Sequence, residues 1–187
     1  MGEDCPQVTA PTFKWAPPVR LSMQREVLGA SPAVAESAFI SEMAYLVGDV
    51  RVGDQSSCWP FVCLRGDREA VVVGAETNVQ EFSMLHGATL GDGVTVGHNV
   101  VIDYATVEDG ALIGMSSTLQ QGAHVESGSI VAPGCVVTED QTVPAGHVAY
   151  GVPASTQPLD EAQQAEIERV HELYVDHAAT YKDAGLE

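Results

Sequence analysis

Residues 64–103 read LRGDREAVVVGAETNVQEFSMLHGATLGDGVTVGHNVVID. Read with a six-residue period, this stretch returns to an apolar residue at Leu64, Val73, Val79, Leu85, Leu90, Val96 and Ile102. The same register runs backwards through Cys58, Val52, Leu46 and Ile40, and forwards through Val107, Ile113, Leu119, Val125, Val131, Val137 and Val143. Its interruptions are a three-residue excursion at Arg65 to Ala70 and five-residue steps into Leu90 and Val107. Period six is neither helical nor a plain alternating strand. It is the signature of a hexapeptide-repeat parallel β-helix, in which three short strands make one triangular coil. A coil then takes 18 residues, or 17 where a step is short. Small residues turn the corners, and each coil buries its apolar edge on the next.

Working outward, residues 1–31 lack the repeat and carry Pro6, Pro11, Pro17 and Pro18. Proline removes backbone donors and restricts the residue before it, so this reads as an irregular arm. The β-helix is expected over residues 32–154, closing at Gly151-Val152-Pro153-Ala154. Residues 155–187 are expected to hold a helix packed on the β-helix. Within 159–182, Ile167, Val170, Tyr174, Ala178 and Tyr181 form one apolar stripe, Asp160 stands at the N-cap and Gly185 ends the helix.

The composition narrows the partners. The chain has 187 residues and a formal charge of −18, with Lys and Arg together only 8. Such a surface repels nucleic acid and anionic membranes, and neither is expected as a partner. No apolar run spans a bilayer and no segment reads as a signal peptide, so the expected location is cytoplasmic. The four cysteines show no CxxC pair. Cys58 and Cys135 are read as buried repeat positions, and the thiols as reduced.

The register also sorts the polar residues. Arg65, His86 and Asp103 each follow an apolar residue of one edge, so they stack at one corner in successive coils. Neighbouring strands lie about 4.8 Å apart, which makes His86 and Asp103 immediate neighbours. Gln80 and His98 follow another edge and belong to a different corner. In a closed threefold ring, one corner of each chain meets a different corner of the next, so His98 of one copy can join His86 and Asp103 of another. Two His and one Asp suit zinc, or ferrous iron or cobalt with open positions. The bland alternative is that His86 and Asp103 form only an ion pair or a hydrogen bond.

The residues so reached resemble the gamma-class carbonic anhydrases over about residues 33–182. The motifs that carry the resemblance are AYLVGDVRVGDQSSCWPFVCLRGD, TNVQEFSMLH, GVTVGH, IGMSSTLQQGA, the closing GVPA and the YVDHAATY tail. The resemblance implies a mainly β fold: a left-handed parallel β-helix of hexapeptide repeats with a C-terminal α-helix, assembled as a homotrimer with metal sites between subunits. It implies that His86 and His98 are metal ligands, the latter supplied by a neighbour. It casts Gln80 as the group that orients a metal-bound hydroxide and Asn78 as its support. Arg65 and Asp67 become an intersubunit and site-orienting pair. Two departures stand out. Asp103, followed by Tyr104, occupies the place where the family has a third His followed by Gly-Cys. The loop after His86 is short, and Arg68 follows Asp67 where the family has an acid; Glu81 is then a candidate proton shuttle.

The function so implied is reversible hydration of carbon dioxide by a metal-bound hydroxide. Two other readings stay open: a diverged metal-dependent hydro-lyase or hydrolase acting on another small molecule, and a non-catalytic structural or binding trimer. Acyl transfer is disfavoured, because no extended loop in the repeat carries a His.

Overall fold

The computed structural model describes residues 23–187. The arm expected over 1–31 therefore lies, up to residue 22, outside the described residues. From there the chain joins the body at once, as Gln24–Arg25 pairs in parallel with Tyr45–Val52.

The repeat winds into a left-handed β-helix with three faces. On the first face, Tyr45–Val52, Cys63–Val73, Met84–His86, Val101–Asp103, Thr118–Leu119 and Val136–Val137 lie side by side in parallel. The two long strands bend round the corner into the second face, where Thr89–Leu90, Thr106–Val107, His124–Val125 and Thr142–Val143 follow. The third face runs from Phe39–Ile40 through Ser57–Cys58, Asn78–Val79, Thr95–Val96, Leu112–Ile113 and Ile130–Val131 to His147–Tyr150. The antiparallel strand Ser155–Pro158 finishes that face.

From Leu46 to Val143 the apolar residue of each six points inward and is sealed, while Ile40 at the first coil is partly buried. Leu46, Leu64, Leu85, Ile102, Leu119 and Val137 of the first face are all 0% exposed. The residue two places earlier also points inward, and on the first face it is a buried Ala, Val, Ser or Cys. Ser83, for example, donates to the Gly97 carbonyl at 2.7 Å and accepts from the Val100 amide at 3.0 Å, so the buried hydroxyl is satisfied across coils. Cys135 occupies this second inward position, two before Val137, rather than the apolar repeat position itself. Cys58, Cys63 and Cys135 are free thiols, and burial pushes Cys58 up to about 12.

The excursion at Arg65 to Ala70 is not a loop between strands. Cys63–Val73 continues through it, with Gly48 paired to Gly66 and Val50 to Val71. Asp67 to Ala70 stand opposite Asp49 alone and bulge outward at the corner between the first and second faces.

Among the described residues there is one helix, α1 (Glu161–Asp183). Asp160 caps it through a capping box with Gln163. Its stripe lies along the third face. Tyr174, Ala178 and Tyr181 pack on Phe39 and Trp59, with the Trp59 and Tyr181 ring centroids 4.9 Å apart. The helix is not long and apolar enough to cross a membrane.

Candidate functional site

The sequence-derived residues fall into two groups on two corners. Arg65, His86 and Asp103 stand in register on three successive coils, at the corner between the first and second faces. Asn78, Gln80 and His98 belong to the corner between the third and first faces. One chain brings each group together and keeps the two groups apart.

The first corner is densely hydrogen-bonded. Arg65 reaches Asp67 Oδ2 at 2.8 Å, so these two pair within one chain. The bulge turns the other oxygen of Asp67 toward His86, 3.2 Å from Nε2. On the far side of the ring, His86 Nδ1 lies 2.8 Å from Asp103 Oδ1. The hydrogen bond from Arg65 holds the Asp67 carboxyl below its usual range, and His86 adds to that effect against the opposing pull of desolvation.

Sequence reasoning gave Tyr104 no role. Its hydroxyl lies 3.0 Å from His86 Nε2, and its ring stands edge-on to the imidazole with centroids 4.5 Å apart. The signal was present in the register, since Tyr104 follows Asp103 as Gly87 follows His86.

The second corner holds a buried amide chain. Gln80 Nε2 donates to Asn78 Oδ1 at 3.0 Å, and Asn78 Nδ2 donates to Thr95 Oγ1 at 2.9 Å. Gln80 is only 4% exposed, so its amide is fixed in place. His98 stands further out, with Nδ1 2.8 Å from Glu81 Oε2. That contact is close but off the hydrogen-bonding axis, and Glu81 Oε2 is a buried oxygen without a hydrogen bond. Beside these groups the surface turns apolar. Phe61 and Phe82 stack at 5.0 Å while 48% and 62% exposed, and Met115 is 52% exposed.

Imidazole and carboxylate are the donor chemistry of zinc and ferrous-iron sites. Among the described residues of one chain, no three His, Cys, Asp or Glu converge to hold an ion. The first corner offers a partial donor set, with His86 at its centre.

Comparison with known proteins agrees with the repeat. The family profile described as a hexapeptide repeat of succinyl-transferase matches residues 69–104 and 104–139. Protein YrdA of Escherichia coli is 42% identical over 55 residues, which is 29% of this chain and 30% of that protein. The mitochondrial gamma carbonic anhydrase 1 of Arabidopsis thaliana is 42% identical over 60 residues, 32% of this chain and 22% of that protein. These matches span less than a third of either curated relative. The solved structure of a hexapeptide transferase family protein from Anaplasma phagocytophilum superposes with a TM-score of 0.84 at 31% identity, over 86% of this chain and 98% of that one. The chain belongs to the hexapeptide-repeat family of left-handed β-helix proteins, and its central repeats are similar in sequence to those of gamma carbonic anhydrases.

Proposed function

We propose that the protein is a gamma-carbonic-anhydrase-like metalloenzyme that reversibly hydrates carbon dioxide at the interfaces of a homotrimer. The observation that supports this best is the split of the site. His86 stands at one end of the first face and His98 at the other, and the outer surface between them is apolar and uncovered. Tyr45 and Val101 on that surface are 37% and 40% exposed, beside the exposed Phe61, Phe82 and Met115. A closed ring of three chains would bury that surface and carry His98 of a second copy toward His86 of the first.

In this reading zinc, ferrous iron or cobalt is held by His86, with Asp103 against it, and by His98 of the second copy. When bound, such a metal acts as a Lewis acid that makes water nucleophilic near neutral pH. The chain's own residues prepare the site. Arg65 fixes Asp67, and Asp103 fixes the plane of the His86 ring through Nδ1, so that Nε2, on the side of Asp67, is the nitrogen that would hold the metal. Gln80 is locked through Asn78 and Thr95, so its amide can orient a reacting oxygen without moving. Glu81, beside His98, can pass a proton to solvent. A largely apolar cleft of about 530 Å³ beneath α1, lined by Leu112, Ile130, Val148 and Leu173 together with Gln80 and His98, suits the approach of an uncharged small substrate. The free thiols fit a reducing, cytoplasmic setting.

A second reading, acyl transfer, draws support from the names of the matching family profile and of the full-length structural relative. In it the His86–Asp103 pair would act as a metal-free general base.

The deciding experiment is metal analysis of anaerobically purified protein, with hydration assayed on the same sample. About one metal per chain, with hydration lost in His86→Ala, is the expected result. Metal without hydration points to a diverged metalloenzyme acting on another small molecule. Binding of acetyl-coenzyme A by metal-free protein points to acyl transfer. Neither metal nor ligand, in a stable trimer, points to a structural role.

A further inference from the structure

The corner between the third and first faces repeats one backbone turn and changes its side chain from coil to coil. Phe61, Phe82, Asn99, Ser116 and Gly134 follow one another there, all with positive φ between 57° and 70°. Each later amide bonds one coil back, Phe82 to the Pro60 carbonyl, Asn99 to Glu81, Ser116 to His98 and Gly134 to Met115. The turn itself therefore calls for no aromatic residue. The two rings instead stack on each other, with centroids 5.0 Å apart and planes 10° from parallel, while 48% and 62% exposed. They leave an open π face beside the His98 corner.

The other corner supplies the complement. Arg68 lies in the bulge that follows Leu64, next to Asp67, and is exposed. Among the described residues it is the one Lys or Arg side chain with neither an ion pair nor a hydrogen bond. Arg25, Arg51, Arg65, Arg169 and Lys182 all have partners. In a chain of 26 acids and 8 bases, an unpaired acid is expected and an unpaired base is not.

The register sets the two features at one height. The proposed trimer brings His98 of a second copy to His86. One coil back from His86 is Arg65, with the bulge just after it. One coil back from His98 is Glu81, with Phe82 just after it, since Thr95 and Val96 pair with Asn78 and Val79. Coils step by about 4.8 Å in both chains, so an equal step back from the two histidines sets Phe82 against the bulge.

We infer that Arg68 of one copy stacks on Phe82 of the next, a cation–π contact repeated at each interface of the ring. The inference rests on the trimer of the proposed function and names what joins its subunits outside the histidine site. A guanidinium suits the place because it is flat, always charged and weakly hydrated, so it loses little on leaving water for an aromatic face. Within one chain the two residues belong to different corners, so the contact forms only between copies.

The test is a double-mutant cycle on the full chain as purified, with trimer dissociation followed by sedimentation. Arg68→Ala is expected to raise the dissociation midpoint at least about fivefold, as loss of a cation–π contact does. Phe82→Leu, which keeps an apolar side chain at the turn, is expected to do the same. The double variant is expected to dissociate no more readily than the weaker of the two, because the residues act as one contact. Arg68→Lys, which keeps the charge, is expected to fall between wild type and Arg68→Ala. Effects that multiply in the double variant, or Arg68→Ala trimers as tight as wild type, overturn the inference and leave the trimer standing. Wild type that sediments as a monomer overturns both.

Discussion

The first and second faces share one inner pattern and differ in their outer one. Inside, both present a sealed aliphatic row, with Leu85 and Ile102 at 0% and Leu90 and Val107 at 1% exposure. Outside, the first face shows Tyr45, Cys63, Met84, Val101, Thr118 and Val136, while the second shows Arg51, Val72, Thr89, Thr106, His124 and Thr142. The inner row is what the coil needs in order to stack. The outer row is free to vary, so its character reports use. Threonine with scattered charge is a surface for water. Aromatic and aliphatic residues bounded by Phe61, Phe82 and Met115 make an exposed apolar surface, the one the proposed trimer would bury. The two histidines stand at the edges of that surface.

Placing a charge on each outer face tests the contrast with the largest expected effect. Val101→Asp should convert trimers to monomers by light scattering, since an unpaired charge in an interface costs about 3 kcal/mol or more. Thr106→Asp on the second face should leave the mass unchanged. If both variants behave alike, the faces do not differ in use.

Next in size is the contrast between inner and outer rows of a single strand. Leu85→Ala should lower unfolding free energy by about 2–5 kcal/mol in denaturant titration, because the closed prism cannot collapse on the void. Met84→Ala, on the outer row next to it, should weaken assembly and barely change the unfolding of a monomeric background such as Val101→Asp. A smaller effect belongs to the third face, which α1 rather than a neighbour covers. Asp160→Ala removes the cap that accepts from the Gln163 amide at 2.8 Å and should cost about 1 kcal/mol, read as a lowered melting temperature.

The smallest expected effect is in acid. The Asp67 carboxyl is held below its usual range, chiefly by Arg65. A depressed carboxyl contributes stability above its unfolded pKa and loses that contribution as pH falls through the folded value. In metal-free protein, the melting-temperature gap between wild type and Asp67→Asn should therefore be open at neutral pH and close below about pH 4. A gap that widens in acid would reverse the assigned sign.

Most of the fold was legible because a coil repeats one physical demand every six residues. The inward residues of the register are the buried ones, and the five-residue steps fall at tight corners. The excursion after Leu64 was legible as surplus chain but not as a continuous strand, because a bulge is set by pairing with Tyr45–Val52 rather than by local sequence. The division of the site between two corners was also legible, since His86 and His98 follow different edges. The apolar outer face could have been read from the residues just before each inward one, such as Tyr45, Met84 and Val101. Tyr104 was harder. The register places it at the His86 corner, but its contact with His86 depends on a hydroxyl reaching across one coil into space that Gly87 leaves open, which periodicity does not report.

The central claim is that a working site needs two chains, His86 from one and His98 from the other. Co-expression of His86→Ala with His98→Ala tests it most directly. Each variant alone should form trimers with impaired metal binding and little activity. Trimers mixed at random should regain about a quarter of the wild-type sites, since each restored site needs the intact His86 of one variant facing the intact His98 of the other. Mixed trimers that recover nothing, or His98→Ala trimers that keep full metal and activity, would contradict the account.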